Sequence, residues 1–308
     1  MNDLEKRLIE SICKNDIQSA KKIVKIVLEQ DKTQKNRAFV NRNLNVLNNS
    51  QMNLTELPDN IKNILIMEDV TISFNEDRYY LSKREAGVFK NIIKLSKASN
   101  ALAEIGVNYI NSTMFYGESG TGKTTLGRYI AYKMNVPFAY LNFSHVVDSH
   151  LGSTQKNITN AFEYVKQHKC VFMIDEIDAI GMKRRDSKEV GEMSRITISL
   201  MQNLDTLTND IILLGATNRI DVIDEALLRR FTTKHEVKRL NQEERLEMAM
   251  KFFRDVKFNY ESDKLNVLVS KNYTQAELMN HLIMILVENY MNGNTGVDIE
   301  EGKANEMD

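Results

Sequence analysis

Gly117-Glu118-Ser119-Gly120-Thr121-Gly122-Lys123-Thr124 has the form G-x-x-x-x-G-K-[ST]. The apolar residues Met114, Phe115 and Tyr116 lead into it, and Leu126, Ile130, Ala131 and Met134 share one helical face after it. A strand, a glycine loop and a helix in that order make a phosphate cradle. The glycines let main-chain N–H groups turn inward without Cβ clashes. The helix N-terminus adds partial positive charge where phosphates sit. Lys123 is placed to reach the β- and γ-phosphates of a nucleotide, and the Thr124 hydroxyl to hold Mg²⁺. The expected cradle runs from Gly117 through Thr125.

A second stretch supplies acids. Val171-Phe172-Met173-Ile174 is a buried-strand pattern ending in Asp175-Glu176. Ligands bind at the carboxyl edge of open α/β sheets, where this strand would deliver both carboxylates. Asp175 would hold the Mg²⁺ water shell. Glu176 would orient and activate an attacking water. A third strand, Ile211 to Ala216, ends in Thr217-Asn218. A neutral amide there could position that water without adding charge, although an Asn at a strand end is also an ordinary turn former. Arg229 and Arg230 end a helical segment, Asp224 to Leu228. Such a pair is either a plain surface feature or a cation supplied in trans to a neighbour's γ-phosphate.

These stretches sit in a chain of 308 residues, long enough for two or three domains. Residues 1–50 read as helical, with Leu4, Leu8 and Ile12 on one face, Ile17, Ala20, Val24, Val27 and Leu28 on a second, and Val40, Leu44 and Leu47 on a third. Residues 51–66 are polar, hold Pro58 and read as a linker. Residues 67–240 alternate strand-like and helical runs, the pattern of a parallel α/β sheet. Candidate strands are 113–116, 138–143, 171–174, 211–216 and 235–237. Ser82 with Glu85 has capping-box spacing, and Thr154 is a candidate cap. Residues 241–292 are helical again, with a capping box at Thr274 and Glu277, and 293–308 form an acidic tail expected to be disordered.

The net charge of −1 predicts no strong whole-chain attraction to nucleic acid or membrane. Lys21 to Arg42 is locally basic, with seven Lys/Arg against two acids, which fits a solvated helix face or a contact for an acidic partner. Residues 1–20 lack the apolar core of a signal peptide, and the longest apolar run, Leu282 to Val287, is too short to span a bilayer. Cys13 and Cys170 show no metal spacing, and Cys170 opens an apolar strand. Cytoplasmic location is the expectation.

Phosphate loop, Asp-Glu strand, Asn-ended strand and arginine pair, in this order, resemble the AAA family of the AAA+ ATPases. Met173 to Gly181 looks like that family's Walker B block, and Ala216 to Arg219 with Ile223 to Phe231 looks like its second region of homology. The resemblance covers roughly residues 70–290. It implies an α/β P-loop core with a five-stranded parallel sheet in the order 5-1-4-3-2, a C-terminal helical lid, and ATP with Mg²⁺ at a subunit interface. It also implies Asn218 as sensor 1, Arg229 and Arg230 as arginine fingers, and a homo-oligomeric ring, sixfold by family default. Many members separate the two arginines with Pro-Gly; the adjacent pair here is similar to the severing-enzyme branch and some bacterial members. The family's pore loop usually reads aromatic–apolar–Gly, and the matching stretch is His150-Leu151-Gly152. Lys183 to Asp186 falls where a second pore loop would lie. Tyr273 to Leu278 looks like the lid motif near the nucleotide, with Ala276 toward the base or ribose. An α-helical N-terminal domain before such a core is similar to bacterial and phage AAA ATPases, some of which look paired with a subtilisin-like protease.

Three functions follow as expectations. The first is an ATP-driven motor that remodels or translocates a protein partner. The second is an ATP-controlled assembly switch that presents the N-terminal helices to a dedicated partner, such as a protease. The third, an ATPase associated with nucleic acid, rests on Lys21–Arg42 alone.

Overall fold

The computed structural model describes residues 3–13, 17–31, 33, 36, 40, 44, 57–58, 60–143, 151–179, 190–258 and 262–291. The expected acidic tail, the stretch Lys183–Asp186 and His150 lie outside them. In chain order, α1 (Asp3–Cys13) and α2 (Ile17–Gln30) come first. They are followed by β1 (Leu65–Glu68), α3 (Val70–Ser73), α4 (Lys83–Glu104), β2 (Asn111–Tyr116) and α5 (Lys123–Met134). Next are β3 (Phe138–Asn142), α6 (Leu151–Lys166), β4 (Val171–Asp175), α7 (Val190–Leu204), β5 (Ile212–Thr217), α8 (Glu225–Leu228) and β6 (Thr233–Glu236). The last are α9 (Gln242–Asp255), α10 (Ser262–Ser270) and α11 (Gln275–Met291).

β4 and β5 are buried along their whole length, as parallel strands covered on both faces must be. This is why they appear in the sequence as unbroken apolar runs. The sheet has six strands in the order β1-β3-β4-β5-β2-β6, so the expectation of five is corrected. β1 is the added strand and pairs antiparallel with β3, which makes the sheet mixed. Counted from β2, the parallel strands keep the relative order 5-1-4-3-2. β1 begins inside the stretch read as a linker. Leu65 and Met67 are buried while Ile66 is exposed, and Leu57, Ile61 and Ile64 join the same core. A strand of four residues is too short to show a period against polar flanks.

Helices cover both faces of the sheet. On one, Ile158 and Phe162 of α6 and Ile196 and Leu200 of α7 pack on Phe172 and Ile174. On the other, Ile92 of α4 and Leu126 and Ile130 of α5 pack on Met173 and Leu214. α6 starts at Leu151, so Thr154 lies inside the helix rather than capping it. The Ser82 side chain caps α4 by accepting from Glu85 N–H. In the N-terminal pair, Ala20, Ile23 and Leu28 of α2 are buried, whereas Val27, expected on that face, is exposed. Leu28 packs with Val24, Val40 and Leu44.

α9, α10 and α11 gather around Phe252, Phe253, Leu265 and Leu278 as a separate small core. Two capping boxes start its helices. Asn241 and Glu244 exchange bonds at α9. Thr274 N–H donates to Glu277 Oε2 at 2.8 Å, and Glu277 N–H to Thr274 Oγ1 at 3.2 Å, as the sequence spacing predicts.

This helical unit is fastened to residues 75–84. Arg78 holds Asp255 through Nε at 2.8 Å and Nη2 at 2.7 Å, and Asn75 Nδ2 donates to Asp255 at 3.1 Å. Tyr80 donates to Glu247 at 2.8 Å. The Arg78 guanidinium holds the Asp255 carboxyl below its ordinary range. A carboxylate depressed in the fold stabilises above its unfolded pKa, about 3.9, and that contribution is lost as pH falls through the folded value. Asp255→Asn should therefore lower Tm at neutral pH, by the equivalent of about 1 kcal/mol for such a paired charge. The gap from wild type should begin to narrow only below about pH 4, the unfolded value, and should close as pH falls through the lower folded value. Thermal melts from pH 3 to 7 check this, and a gap that persists at acid pH would contradict it.

Candidate functional site

The loop between β2 and α5 turns because its glycines accept backbone geometry that other residues resist. Gly117 has φ +136°, and a Cβ there would sit 2.4 Å from the Val237 carbonyl oxygen. The missing Cβ lets the chain after β6 lie tight against the loop, where Val237 N–H donates to the Tyr116 carbonyl at 2.8 Å. Gly120, φ +78°, has the helical lid on its other side. A Cβ would meet Thr274 Oγ1 at 3.0 Å and the Ala276 Cβ at 3.2 Å.

Lys123, the first residue of α5, is buried. Its ammonium donates to the Gly117 carbonyl at 2.9 Å, the Glu118 carbonyl at 2.9 Å and Asn218 Oδ1 at 2.7 Å. Burial pushes this ammonium below its ordinary pKa, while Asp175, Asp178 and Glu118 act to raise it. The next residue, Thr124, donates its hydroxyl to Asp175 Oδ2 at 2.6 Å. The Walker-type lysine, the hydroxyl and the strand-end carboxylate thus converge, as the sequence order suggests.

Asp175 is held from three sides. Besides Thr124, the Tyr140 hydroxyl donates to Oδ2 at 3.3 Å, and Glu176 N–H donates to Oδ1 at 2.8 Å. Tyr140 itself is pushed up to about 12, by burial first and then by the Asp175 charge. Glu176 has φ +54°, the left-handed region, which costs a non-glycine residue about 1–3 kcal/mol. The turn points the chain away from β4 directly after its last residue. On the neighbouring strand, Thr217 donates to Asp178 Oδ1 at 2.8 Å and accepts from Arg219 N–H at 3.0 Å, which fixes the backbone on both sides of Asn218.

A cavity of about 890 Å³ opens over these groups. Ser119 to Thr125, Asp175, Glu176 and Asn218 line its polar end. Phe74, Tyr79, Met248, Phe252, Met279 and Ile283 line an apolar end between the sheet domain and the helical unit. Polar groups converging at one end of an apolar cleft suit a ligand with a charged tail and a flat, uncharged head. The Thr124 hydroxyl and Asp175 carboxylate are hard oxygen donors of the kind that Mg²⁺ takes together with phosphates and water. Among the described residues no group of three or more His, Cys, Asp or Glu forms a metal cage.

The remaining expected residues fall as follows. Ala276 lines the cavity, and its N–H donates to the Gly120 carbonyl at 2.9 Å, so the lid motif touches the phosphate loop directly. Arg229 and Arg230 are not among the described residues lining the cavity. Leu151 and Gly152 begin α6, and His150 lies outside the described residues. One ion pair at the loop belongs to no sequence motif. Glu118 accepts from Arg239 Nε at 2.6 Å and from Nη2 at 2.7 Å, and Arg239 also donates to the Asn272 carbonyl. Glu118 belongs to the phosphate cradle by its place in the motif, yet its side chain ties the loop to the segment entering the helical unit. Its carboxyl is lowered chiefly by the Arg239 hydrogen bond. The signal available was an acid inside the loop and a lone arginine just after β6.

A mostly parallel sheet with a glycine loop, a lysine at a helix start and strand-end Asp, Glu and Asn defines a P-loop nucleotide-binding class. Residues 113–239 match the model of the ATPase family associated with various cellular activities, AAA. The chain is similar to the 26S proteasome regulatory subunit 6A of Saccharomyces cerevisiae, 33% identical over 180 residues, covering 57% of this chain and 41% of that protein. It is also similar to proteasome-activating nucleotidase 1 of Haloferax volcanii, 34% identical over 172 residues, 54% of this chain and 40% of that protein. An uncharacterized AAA family ATPase of Sinorhizobium fredii is 28% identical over 165 residues, 54% of this chain and 50% of that protein. The chain thus spans about two fifths to half the length of these relatives.

Gly117→Ala should destabilise the fold, by about 1–3 kcal/mol, because φ +136° and the Val237 carbonyl both oppose a Cβ. Thermal melts check this, and a wild-type Tm would contradict the close approach.

Proposed function

We propose that this chain binds ATP with Mg²⁺ in the cavity between sheet and lid, hydrolyses it to ADP and phosphate, and uses the cycle to act on a protein partner. The observation that carries the reading is the buried Lys123 ammonium, set between loop carbonyls and Asn218 beside the Thr124–Asp175 pair. A buried cation next to main-chain donors at a helix start suits a polyanion.

Each residue has a role in that reaction. The N–H groups from Ser119 to Thr124 and the Lys123 ammonium hold the phosphates. Thr124 and Asp175 hold Mg²⁺, with Tyr140 and Glu176 N–H keeping the Asp175 carboxylate in place. Bound Mg²⁺ supplies charge neutralisation on the phosphate oxygens. Glu176 takes the proton of the attacking water, and Asn218, already within reach of Lys123, orients that water or the γ-phosphoryl group. The apolar end of the cavity, with Ala276 at the loop, receives the nucleoside.

The cation that neutralises the transition state comes from the arginine pair of a neighbouring copy, since neither Arg229 nor Arg230 lines its own cavity among the described residues. A closed homo-oligomeric ring, sixfold in the family's manner, satisfies this at every site. The names of the proteasome subunits and nucleotidases support a protein as the partner. Remodelling or translocation of that partner is the finer form of the reading, and a dedicated protease, subtilisin-like included, is one partner of this class. Nucleic acid is not favoured, because the net charge is −1 and the basic stretch is short. No helix among the described residues is long and apolar enough to cross a membrane; action in the cytoplasm is part of the proposal.

Glu176→Gln should bind ATP with wild-type affinity while hydrolysis falls by about 10²–10⁴. Phosphate release together with nucleotide titration reads both. Turnover at the wild-type rate would remove Glu176 from the reaction, whereas a wild-type chain that releases no phosphate from ATP would remove the ATPase reading.

A further inference from the structure

The two adjacent arginines are held in opposite ways. Arg230 directs Nε to Asp205 Oδ1 at 2.9 Å and Nη2 to Asp205 Oδ2 at 2.8 Å, a fork-to-fork pair. Its Nη1 donates to the Ala226 carbonyl at 2.7 Å and lies 3.4 Å from the Met201 sulfur. Its side chain is 28% exposed. Arg229 pairs with Glu225 at 2.9 Å, one turn back on the same helix, and both side chains stand in solvent, 72% and 77% exposed. An exposed pair of this spacing is a weak hold, whereas a bidentate carboxylate pair with a carbonyl contact is a firm one.

The residue after the pair is anchored too. Phe231 is buried in the sheet core, and its ring fills the place where a Cβ on Gly215 of β5 would lie. Asp205 follows α7 directly, and its N–H donates to the Met201 carbonyl at 3.1 Å. Arg230 and Phe231 therefore fix the end of α8 to α7 and to β5, and Arg229 projects from that fixed end.

Resting on the ATPase reading above, we infer that Arg229 alone is the cation handed to a second copy's triphosphate. Arg230 is a positioning residue, clamped by Asp205, that sets the direction in which Arg229 projects. Moving Arg230 to a neighbour's phosphate would leave the Asp205 carboxylate without its fork and α8 without its tie to α7. Moving Arg229 breaks one solvent-exposed pair. The adjacent arginines thus divide into one that leaves and one that stays.

The test uses the full chain and four variants: Arg229→Ala, Arg230→Ala, Asp205→Asn and the Arg230→Ala/Asp205→Asn double. Arg229→Ala should bind ATP normally and lose on the order of 10³ in kcat. Arg230→Ala and Asp205→Asn should each lower kcat by a similar and smaller factor, up to about 10², with KM unchanged, because they misdirect the finger. The double variant should be no worse than either single one, since both changes break one contact. Co-expression of Arg229→Ala with Glu176→Gln should give rings more active than either variant alone, because an intact finger then meets an intact Glu176. Asp205→Asn keeps the side-chain shape, so a loss there with a wild-type Tm reads direction rather than folding.

The inference is overturned if Arg229→Ala keeps wild-type kcat, if the mixed rings show no revival, or if Arg230→Ala loses as much as Arg229→Ala while Asp205→Asn loses nothing. A wild-type chain that releases no phosphate from ATP and Mg²⁺ removes the ATPase reading itself. A dead Glu176→Gln beside a fully active Arg229→Ala removes only the assignment of the finger.

Discussion

One buried ammonium organises this molecule. Lys123 sits where a helix begins, a loop closes and two strands end, and its donors reach the loop carbonyls and the β5 terminus together. A cation in such a place is costly unless fully partnered. The partners dictate much of the surrounding structure. The loop must turn its carbonyls at Gly117 and Glu118 toward the lysine, and Asn218 must stand at the end of β5. That in turn requires β5 to lie between β2 and β4, as it does. Asp175, at the end of the adjacent strand, then falls beside Thr124.

The same loop is the point at which the helical unit touches the sheet domain. Ala276 N–H bonds to the Gly120 carbonyl, Thr274 crowds Gly120, and the Glu118–Arg239 pair ties the loop to the segment entering α9. A ligand that fills the loop therefore presses on groups that belong to the lid. The lid is held again by Asp255 on Arg78 and Glu247 on Tyr80, and Arg78 and Tyr80 line the same cavity. The cleft is thus lined both by loop residues that touch the helical unit and by Arg78 and Tyr80, which bond to it.

The central strands, the phosphate loop and the acid pair were legible in the sequence because their chemistry is local. Continuous apolar runs mark buried strands, and glycines with a lysine mark the loop. β1 was missed because four residues beside polar flanks carry no readable period, and its membership of the sheet comes from pairing with β3, far along the chain. α6 begins at Leu151, ahead of the Thr154 cap that the sequence suggests, since residue preference sets helix ends poorly. Tyr140 on Asp175, Arg239 on Glu118 and Asp205 on Arg230 are contacts between residues remote in sequence, made only once the sheet order is fixed. Glu118 shows the difference most clearly: its position in the motif was readable, but its side chain answers to an arginine that no motif names.

The most direct measurement is calorimetric titration of the chain, wild type and Lys123→Ala, with ATP and Mg²⁺. Saturable binding to the wild type, weakened at least about 100-fold when the ammonium is removed, is the predicted result, since an unpaired anionic site loses several kcal/mol. Equal affinity in the two proteins, or no binding to the wild type, would contradict the phosphate-gripping role on which the whole account is built.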